Sequence, residues 1–311
     1  MRRLLVRLGQ WLKLANYWVI AQFAIGVLSL LRRVPPDKAL DFADRAARWV
    51  GPKVGRHRVA LDNLRQAFPE KSEAEIDEIA SDMWANMARL AAEYIFLDTL
   101  FDFEPFSDKI GRVEVVGVER FIELANQDKP RITITGHTGN FEMLAIAGTV
   151  YGLGASFLFR PPNNPFLAKY IFKARSNGMS GLLASRRGVA FTLARILEDN
   201  GAIGVLVDQK FQYGIRTTFF GRECETSPLV PKLARQYDAD VYPARCIRLP
   251  GNRFRLELEP KVELPRDASG EIDAKATAQL LNDIVERWVR EHPGQWMWFH
   301  KRWKLTPAKA R

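Results

Sequence analysis

The sequence predicts an α/β protein with a mixed central sheet flanked by helices, preceded by a helical region and an N-terminal membrane helix. Three observations predict this. From Val113 onward, short apolar runs alternate with segments of helical periodicity, which is the pattern of an α/β fold. Residues 38–100 show apolar positions at helical spacing. Residues 14–31 form a continuous uncharged run.

The uncharged run at residues 14–31 is the first element. Its length is close to the roughly 20 residues that a membrane-spanning helix needs. Scattered polar residues keep its hydrophobicity moderate, so a helix that lies in the membrane interface is an alternative, as is a buried core helix. A cleavable signal peptide is disfavoured because no small-x-small cleavage site precedes the basic pair that follows. We predict a membrane-anchoring helix over residues 1–33.

The next elements are helices and then strands. Helices are predicted over residues 38–50 and 58–68, and Ser72-Glu-Ala-Glu75 has the capping-box pattern that opens a long third helix. The candidate strands are residues 113–116, 131–135, 155–159, 202–207, 241–247 and 254–258. Residues 34–311 are predicted to form one α/β domain, with a helical part at 34–110 and the sheet-containing part at 111–311.

Composition restricts the partners and the chemistry. The chain has 46 Lys and Arg against 36 Asp and Glu, a net charge of +10, which indicates an anionic partner such as nucleic acid, a membrane surface or a phosphorylated substrate. Cys224 and Cys246 fit neither a disulfide framework nor metal-site spacing. The sequence has no phosphate-binding Gly-Lys-Ser/Thr loop, no His-Glu-x-x-His and no Cys-x-x-Cys. We therefore predict neither a metal site nor a cofactor.

The segment from Thr133 to Glu142 contains the strongest catalytic candidates. His137 follows a predicted strand and precedes a predicted helix at 142–151, a location where active-site residues are often found in open α/β sheets. Gly139 and Asn140 allow the backbone to turn between His137 and Glu142, so that the two side chains could converge. A histidine held by a carboxylate can take a proton from an alcohol near pH 7. The alternative is a structural histidine bonded to a nearby carbonyl.

Polar residues follow two further strands. Arg160 comes directly after the strand at 155–159, and a series of cations follows it. These cations are Lys169, Lys173, Arg175, Arg186 and Arg187. They suit binding of phosphates or of an acidic partner, and a solvated helix face is the alternative. Asp208 and Gln209 end the strand at 202–207, again at the predicted carboxyl edge of the sheet.

Two later segments are rich in aromatic residues. Residues 217–226 contain Phe219-Phe220 and are predicted as an apolar loop, which either lines a chain-binding groove or is simply buried. Residues 287–304 place four tryptophans among basic residues. Such a run fits a membrane interface, stacking on single-stranded nucleic acid, or a final helix whose tryptophans pack on the sheet.

The ordered set of these motifs resembles the bacterial lipid A biosynthesis acyltransferases, the late lauroyl and myristoyl acyltransferase family. The matching motifs are His-x4-Glu at His137 and Glu142, Phe-Arg-Pro-x-Asn-Asn at 159–164, Asp208-Gln209, Phe-Phe-Gly at 219–221, and His-Pro-x-Gln-x-x-Trp-x-His-x-Arg at 292–302. They cover nearly the whole chain. His-x4-acid alone is weak, but the ordered set is specific.

The resemblance implies a fold like that of the glycerolipid acyltransferases and assigns roles to individual residues. His137 corresponds to the family's base and Glu142 to the acid that orients it. The residues expected to bind substrate are Arg160, Asn164, Arg175, Asp208 and Gln209. Here Asp208-Gln209 is followed by Lys210, whereas the family usually has Asp or Tyr there, so the surroundings of Asp208 depart from the pattern.

The resemblance also implies the reaction and its location. We expect acyl transfer from an acyl carrier protein thioester to a hydroxyl of a phosphorylated, Kdo-bearing lipid A precursor, at the bacterial inner membrane with the catalytic domain facing the cytoplasm. The transfer is expected to be direct, without an acyl-enzyme, a cofactor or a nucleic-acid partner. Three alternatives stay open: acylation of another glycolipid or lysophospholipid, a lipid-transfer protein without chemistry, and a basic nucleic-acid-binding protein.

Overall fold

The computed structural model describes residues 2–103, 111–176, 179, 181–186 and 188–307. Arg187 of the cationic series and residue 110, where the predicted helical part ends, lie outside these ranges. The helices are α1 (Arg2–Leu31), α2 (Pro36–Val50), α3 (His57–Ala67), α4 (Glu73–Glu93), α5 (Leu97–Leu100), α6 (Val118–Asn126), α7 (Glu142–Val150), α8 (Pro165–Ser176), α9 (Val189–Glu198), α10 (Leu229–Tyr237) and α11 (Ala274–Glu291). The strands are β1 (Val113–Val116), β2 (Arg131–Thr135), β3 (Ala155–Phe159), β4 (Leu182–Ala184), β5 (Ala202–Leu206), β6 (Ile215–Phe219), β7 (Arg222–Thr226), β8 (Asp240–Leu249) and β9 (Arg253–Leu258).

The central sheet has seven strands in the order β1-β9-β8-β2-β5-β3-β4. All neighbouring strands are parallel except β8 and β9, which are antiparallel, so the sheet is mixed as predicted. Successive residues of a strand contribute to different apolar clusters, as their alternation across a pleated sheet requires. Ile203 of β5 belongs to one cluster, whereas the preceding Ala202 belongs to the other. The predicted α/β fold is confirmed.

The helical region before the sheet begins its longest helix at the predicted capping box. The Ser72 side chain accepts a hydrogen bond from the Glu75 N–H, and the Glu75 carboxylate accepts one from the Ser72 N–H. Helix α4 then runs to Glu93 and reaches the edge of the sheet where the candidate site lies.

The apolar loop predicted at 217–226 is instead a two-stranded antiparallel hairpin formed by β6 and β7. The rings of Phe219 and Phe220 are buried in the core, so they do not line a groove. The sequence pattern missed this hairpin because its strands consist mostly of charged and hydroxyl residues, and its two phenylalanines come together at the turn.

The tryptophans of the C-terminal run pack inside the protein. Trp288 lies on α11, and Trp296 and Trp298 lie beyond its end, where all three are almost completely buried in the same apolar cluster as Ile132 and Ile134 of β2. This confirms the packing interpretation of the run. These three rings are not available for stacking on nucleic acid or for contact with lipid headgroups.

Helix α1 contains the predicted apolar run. Residues Arg7–Leu31 are long and apolar enough to cross a membrane, and very little of this span is buried in the protein. Length and composition alone do not distinguish a spanning helix from one that lies on a membrane.

Candidate active site

The predicted site lies at the carboxyl edge of the sheet, where β2 and β5 end side by side. The two strands are parallel, and Thr135 at the end of β2 pairs with Leu206 at the end of β5. His137 and Asp208 each follow two residues later. The register of the sheet therefore brings the two side chains together, as expected at the carboxyl ends of neighbouring parallel strands.

His137 and Asp208 are joined through both the ring and the backbone. Nδ1 of the His137 ring lies 2.7 Å from Oδ1 of Asp208, and the His137 N–H donates to Oδ2 at 2.7 Å. The indole N–H of Trp296 also donates to Oδ2, at 2.8 Å. Asp208 is 2% exposed. These contacts hold the carboxylate in one orientation against the ring.

Burial is the largest influence on Asp208 and by itself would raise its pKa, because desolvation penalises the charged form. The charge interaction and hydrogen bonds with His137, together with the bond from Trp296, act in the opposite direction and are stronger in sum. They hold the pKa of Asp208 well below its usual range. The group is therefore a carboxylate at neutral pH.

Gln209 contacts the other nitrogen of the His137 ring. Its Nε2 lies 3.2 Å from His137 Nε2. An amide N–H only donates, so the ring nitrogen accepts, and the ring proton is on Nδ1, where it is donated to Asp208. With the Gln209 amide in this orientation, Nε2 is the ring nitrogen that accepts, and His137 and Gln209 both line the cavity described below. Such a group can accept a proton from a substrate hydroxyl.

Glu142 does not take the place that the sequence pattern predicted for it. The carboxylate at His137 Nδ1 is that of Asp208, whereas Glu142 accepts a hydrogen bond from the Tyr94 hydroxyl at 2.6 Å and pairs with Arg175. Two physical reasons account for the difference. The sheet register places Asp208 against the ring, and the buried guanidinium of Arg175 needs a counter-ion, which Glu142 at the start of α7 supplies.

This second cluster keeps fixed charges near neutral pH. Desolvation and then the charge of Glu142 raise the pKa of Tyr94 well above its usual value, so the phenol stays protonated. Burial is the largest influence on Arg175 and by itself would lower its pKa, but the charge interactions and hydrogen bonds with Glu142 and Tyr94 are together stronger, and the pKa is raised. Arg175 also lies over the Phe159 ring, with its guanidinium carbon 5.0 Å from the ring centre. The cluster therefore presents a permanent cation.

Gly139 fixes the turn between His137 and α7. Its φ is +55°, and a Cβ at this position would lie 2.3 Å from the carbonyl oxygen of Cys246. Only glycine fits such a left-handed turn against a backbone. The Gly139 N–H donates to the Gln295 carbonyl at 3.1 Å, which ties the turn to the C-terminal segment.

Asn140 joins the same turn to a buried ion pair. Its Nδ2 donates to the Glu93 carboxylate at 2.9 Å, and its Oδ1 accepts from the Glu142 N–H at 3.1 Å. Glu93 in turn pairs with Arg248 of β8. Hydrogen bonds thereby connect helix α4, the turn at residues 137–142 and β8.

A cavity of about 1290 Å³ opens beside the two clusters. Its lining includes His137 and Gln209 from one cluster, and Tyr94 and Arg175 from the other. The exposed Arg160, which follows β3, also lies at its wall. One open space is thus lined by the His137 ring and by two arginines.

A smaller pocket of about 70 Å³ adjoins this cavity between the sheet and α7. It shares Phe141, Leu158 and Phe159 with the larger cavity, and most of its other lining residues are apolar. The ring of Phe141 also packs edge-on against His137, with ring centres 4.9 Å apart. An apolar space therefore begins next to the base.

Asn164 makes contacts within the protein. Its Oδ1 accepts from the N–H groups of Phe166 and Leu167 in the first turn of α8, at 3.0 and 3.3 Å. Its Nδ2 donates to the Tyr17 carbonyl of α1 at 2.7 Å. The side chain thus joins two helices at the edge of the site, and the predicted contact with substrate stays a prediction.

Three residues at the site were not singled out from the sequence. Tyr94 directly follows α4, far from the motifs along the chain, and no local signal marks it. Trp296 lies inside the C-terminal motif but at one of its unspecified positions. His300 is one of the specified positions, and its Nε2 accepts from the Lys210 N–H at 3.0 Å.

Sequence comparison relates the chain to proteins of known name. The family model described as bacterial lipid A biosynthesis acyltransferase matches residues 10–305. The chain is 26% identical over 291 residues to the lipid A biosynthesis myristoyltransferase of Escherichia coli K12, an alignment that covers 92% of this chain and 87% of the relative. It is 25% identical over 307 residues to the lipid A biosynthesis lauroyltransferase of the same organism, covering 96% and 92%. It is also 25% identical over 291 residues to lipid A biosynthesis acyltransferase 2 of Shigella flexneri, covering 92% and 89%.

Proposed function

Because the chain belongs to the bacterial lipid A biosynthesis acyltransferases and is therefore an acyltransferase, we propose that it transfers a fatty acyl chain directly from an acyl carrier protein thioester to a hydroxyl of a lipid A precursor. The observation that carries the proposed mechanism is the His137 ring, which is held at Nδ1 by an ionised Asp208 and lines a large cavity.

His137 Nε2 takes the proton of the acceptor hydroxyl as the oxygen attacks the thioester carbonyl. Asp208 keeps the ring in the required tautomer and stabilises the imidazolium that forms. A C–O bond forms, the C–S bond breaks, and the imidazolium returns the proton to the departing thiolate of the carrier. The adjoining apolar pocket suits the hydrocarbon next to the reacting carbonyl.

The cations of the cavity bind the anionic parts of the substrates. Arg175 is charged, and Glu142 and Tyr94 hold it in place. Glu142 therefore acts by orienting Arg175 and does not contact the reacting atoms. Arg160 supplies a second positive charge at the wall, where the residue is exposed. Phosphates of a Kdo-bearing precursor or of the phosphopantetheine arm of the carrier are the matching groups. The substrate hydroxyl takes the place of the Gln209 amide at Nε2, because this nitrogen has a single lone pair.

The net charge and helix α1 support the proposed partners and the proposed location at the membrane. The net charge of +10 favours association with an acidic carrier protein and with anionic lipid. Residues 1–33 anchor the protein to the inner membrane, and residues 34–311 form the acyltransferase domain on its cytoplasmic face, where the carrier-linked donor is available. Residues 111–311 supply the base and most of the cavity.

The test is acyl transfer by the purified full-length protein, with carrier-linked donors and a Kdo-bearing lipid A precursor in detergent. His137→Ala and Asp208→Asn should each lower kcat/KM by about 10²- to 10⁴-fold, because each removes part of the proton-transfer unit. Asp199→Asn is the matched control, since Asp199 is an exposed aspartate at the opposite end of β5. It should retain wild-type activity.

A wild-type rate in Asp208→Asn would contradict the proposed role of this carboxylate. Lipid binding without transfer from any donor would favour a lipid-transfer protein instead. Mass spectrometry of lipid A from cells with and without the gene identifies the acceptor and the chain together. An unchanged lipid A profile, with another glycolipid altered, would replace the proposed acceptor.

A further inference from the structure

Helix α1 has an exposed apolar surface along most of its length. Trp11 and Phe23 are 72% and 75% exposed, and Trp18, Val27 and Leu30 are exposed as well. Soluble proteins rarely expose a contiguous apolar patch of this kind, so such a surface indicates contact with another protein or with lipid. The sequence of α1 contains no acidic residue.

One narrow stripe of α1 packs on the rest of the protein. Its members recur at the spacing of one helical face, and they are Tyr17, Ala21, Ala24, Ile25, Leu28 and Leu31. Ala21 is completely buried, and Leu28 and Leu31 pack against the apolar cluster that contains Leu40 of α2. The helix also contacts α8 directly.

Polar contacts fix α1 at both ends of this stripe. At one end, the Asn164 side chain donates to the Tyr17 carbonyl at 2.7 Å. At the other end, Arg32 pairs with Asp98 of α5 at 2.9 Å. Residues 17–31 are therefore held alongside the α/β body over a length of about 21 Å, at a rise of about 1.5 Å per residue.

This attachment limits how much of α1 is free to enter a membrane on its own. Residues 2–16 rise only about 22 Å, whereas the hydrocarbon core is about 30 Å thick. They also carry Arg2, Arg3, Arg7 and Lys13, which are costly at the centre of a bilayer. A helix docked in this way does not cross the membrane while the α/β body stays in water.

We infer that α1 is an in-plane anchor, which lies within one leaflet of an anionic phospholipid bilayer and keeps both of its ends on the side of the catalytic body. Its outer face contacts acyl chains, its basic residues contact headgroups, and its inner stripe stays on α8. This inference rests on the membrane association in the proposed function.

The in-plane position has a consequence for substrate access. Asn164 connects α1 to the first turn of α8, and α8 carries Arg175 into the cavity. A helix embedded at headgroup depth thus forms one side of the region through which a lipid acceptor reaches the base. A spanning helix would instead leave the body tethered at a distance.

The experiment is cysteine labelling with a membrane-impermeant maleimide in sealed inner-membrane vesicles of both orientations. Single cysteines replace the exposed residues Arg7, Arg33 and Glu78 of the full-length protein. Glu78 lies on α4 and reports the side of the body. The wild-type protein gives the background, because its two cysteines are buried.

We expect Arg7→Cys, Arg33→Cys and Glu78→Cys to react in the same vesicle orientation, and in the other orientation only after detergent. Reaction of Arg7→Cys from the face where Glu78→Cys is protected would overturn the in-plane arrangement and leave the proposed chemistry standing. Protection of Arg7→Cys in both orientations would also overturn it, because the residue would then lie inside the hydrocarbon. Recovery of the protein outside the vesicles would overturn the membrane association itself.

Discussion

The turn at residues 137–142 separates two clusters of ionisable side chains, which differ in whether a proton can be exchanged at neutral pH. In the first, the ionised Asp208 contacts Nδ1 of His137, which leaves Nε2 of the ring as the atom that can accept a proton. In the second, Glu142 and Arg175 form a complete ion pair and Tyr94 stays protonated. One cluster is suited to moving a proton, and the other to holding a charge in place.

This difference separates residues that lie close together in the motif. His137 and Glu142 are five residues apart, yet they point into different clusters because the turn at Gly139 and the start of α7 direct them to different neighbours. Sequence proximity suggested a single functional unit. The register of the sheet instead pairs His137 with Asp208. Glu142 pairs with Arg175, because a buried guanidinium needs a counter-ion.

The largest difference between the two clusters is expected in the pH dependence of kcat/KM, measured for Glu142→Gln and for Asp208→Asn. Asp208→Asn should shift the acidic limb to lower pH, because an ionised Asp208 stabilises the protonated ring. Glu142→Gln should leave the limb in place but destabilise the fold by about 3–5 kcal/mol, since Arg175 would be buried without its counter-ion.

The two readouts distinguish the roles of the two carboxylates. Urea unfolding in detergent measures the stability of each variant, and Asp199→Asn again serves as the control. An acidic limb that moves in Glu142→Gln and stays fixed in Asp208→Asn would mean that Glu142 holds His137 during turnover, as the sequence pattern alone predicted.

Much of the fold was predictable because its strands are continuous apolar runs between turns. The predicted bounds of β1, β2 and β3 agree with the structure, and β5, β8 and β9 differ by one or two residues at their ends. The sequence pattern missed β4, which has only three half-buried residues at the edge of the sheet. Such a segment carries too few residues to show a period.

The site was predictable residue by residue but not in its pairings. His137 and Asp208 were marked by their positions after apolar strands, which is a local signal. That they face each other depends on β2 and β5 being neighbours, although the strands β3 and β4 lie between them in the sequence. Long-range pairing of this kind leaves no local pattern, and the same holds for Tyr94.

The other histidine at the cavity, His300, should make the unfolding free energy depend on pH. Burial is the largest influence on His300 and lowers its pKa to about 4, so this ring stays neutral in the folded protein. Between pH 7 and pH 5 the unfolded chain protonates His300 and the folded protein does not. The unfolded state then binds more protons, and the unfolding free energy should fall by about 2 kcal/mol from this residue alone.

Urea unfolding of the wild type and of His300→Gln at pH 7 and pH 5 measures this contribution. Glutamine retains an oxygen that can accept the Lys210 N–H, and it does not titrate. The loss of stability between the two pH values should therefore be smaller in the variant. Equal losses would show that His300 is not the titrating group in this range.

The smallest effect is expected from the cysteines, which distinguish direct transfer from an acyl-enzyme. Cys246 lies beneath the catalytic turn, and burial raises the pKa of its thiol to about 12, so it is not a nucleophile at neutral pH. Cys224 is equally buried, in the hairpin. The double variant Cys224→Ala/Cys246→Ala should keep kcat within about twofold of the wild type, because in direct transfer neither thiol forms a bond to the acyl chain.

A quenched single turnover with a labelled donor should leave no label on the protein. Label retained on either cysteine of the wild type would place a covalent step before the attack by the acceptor, and His137 would then serve to activate a thiol.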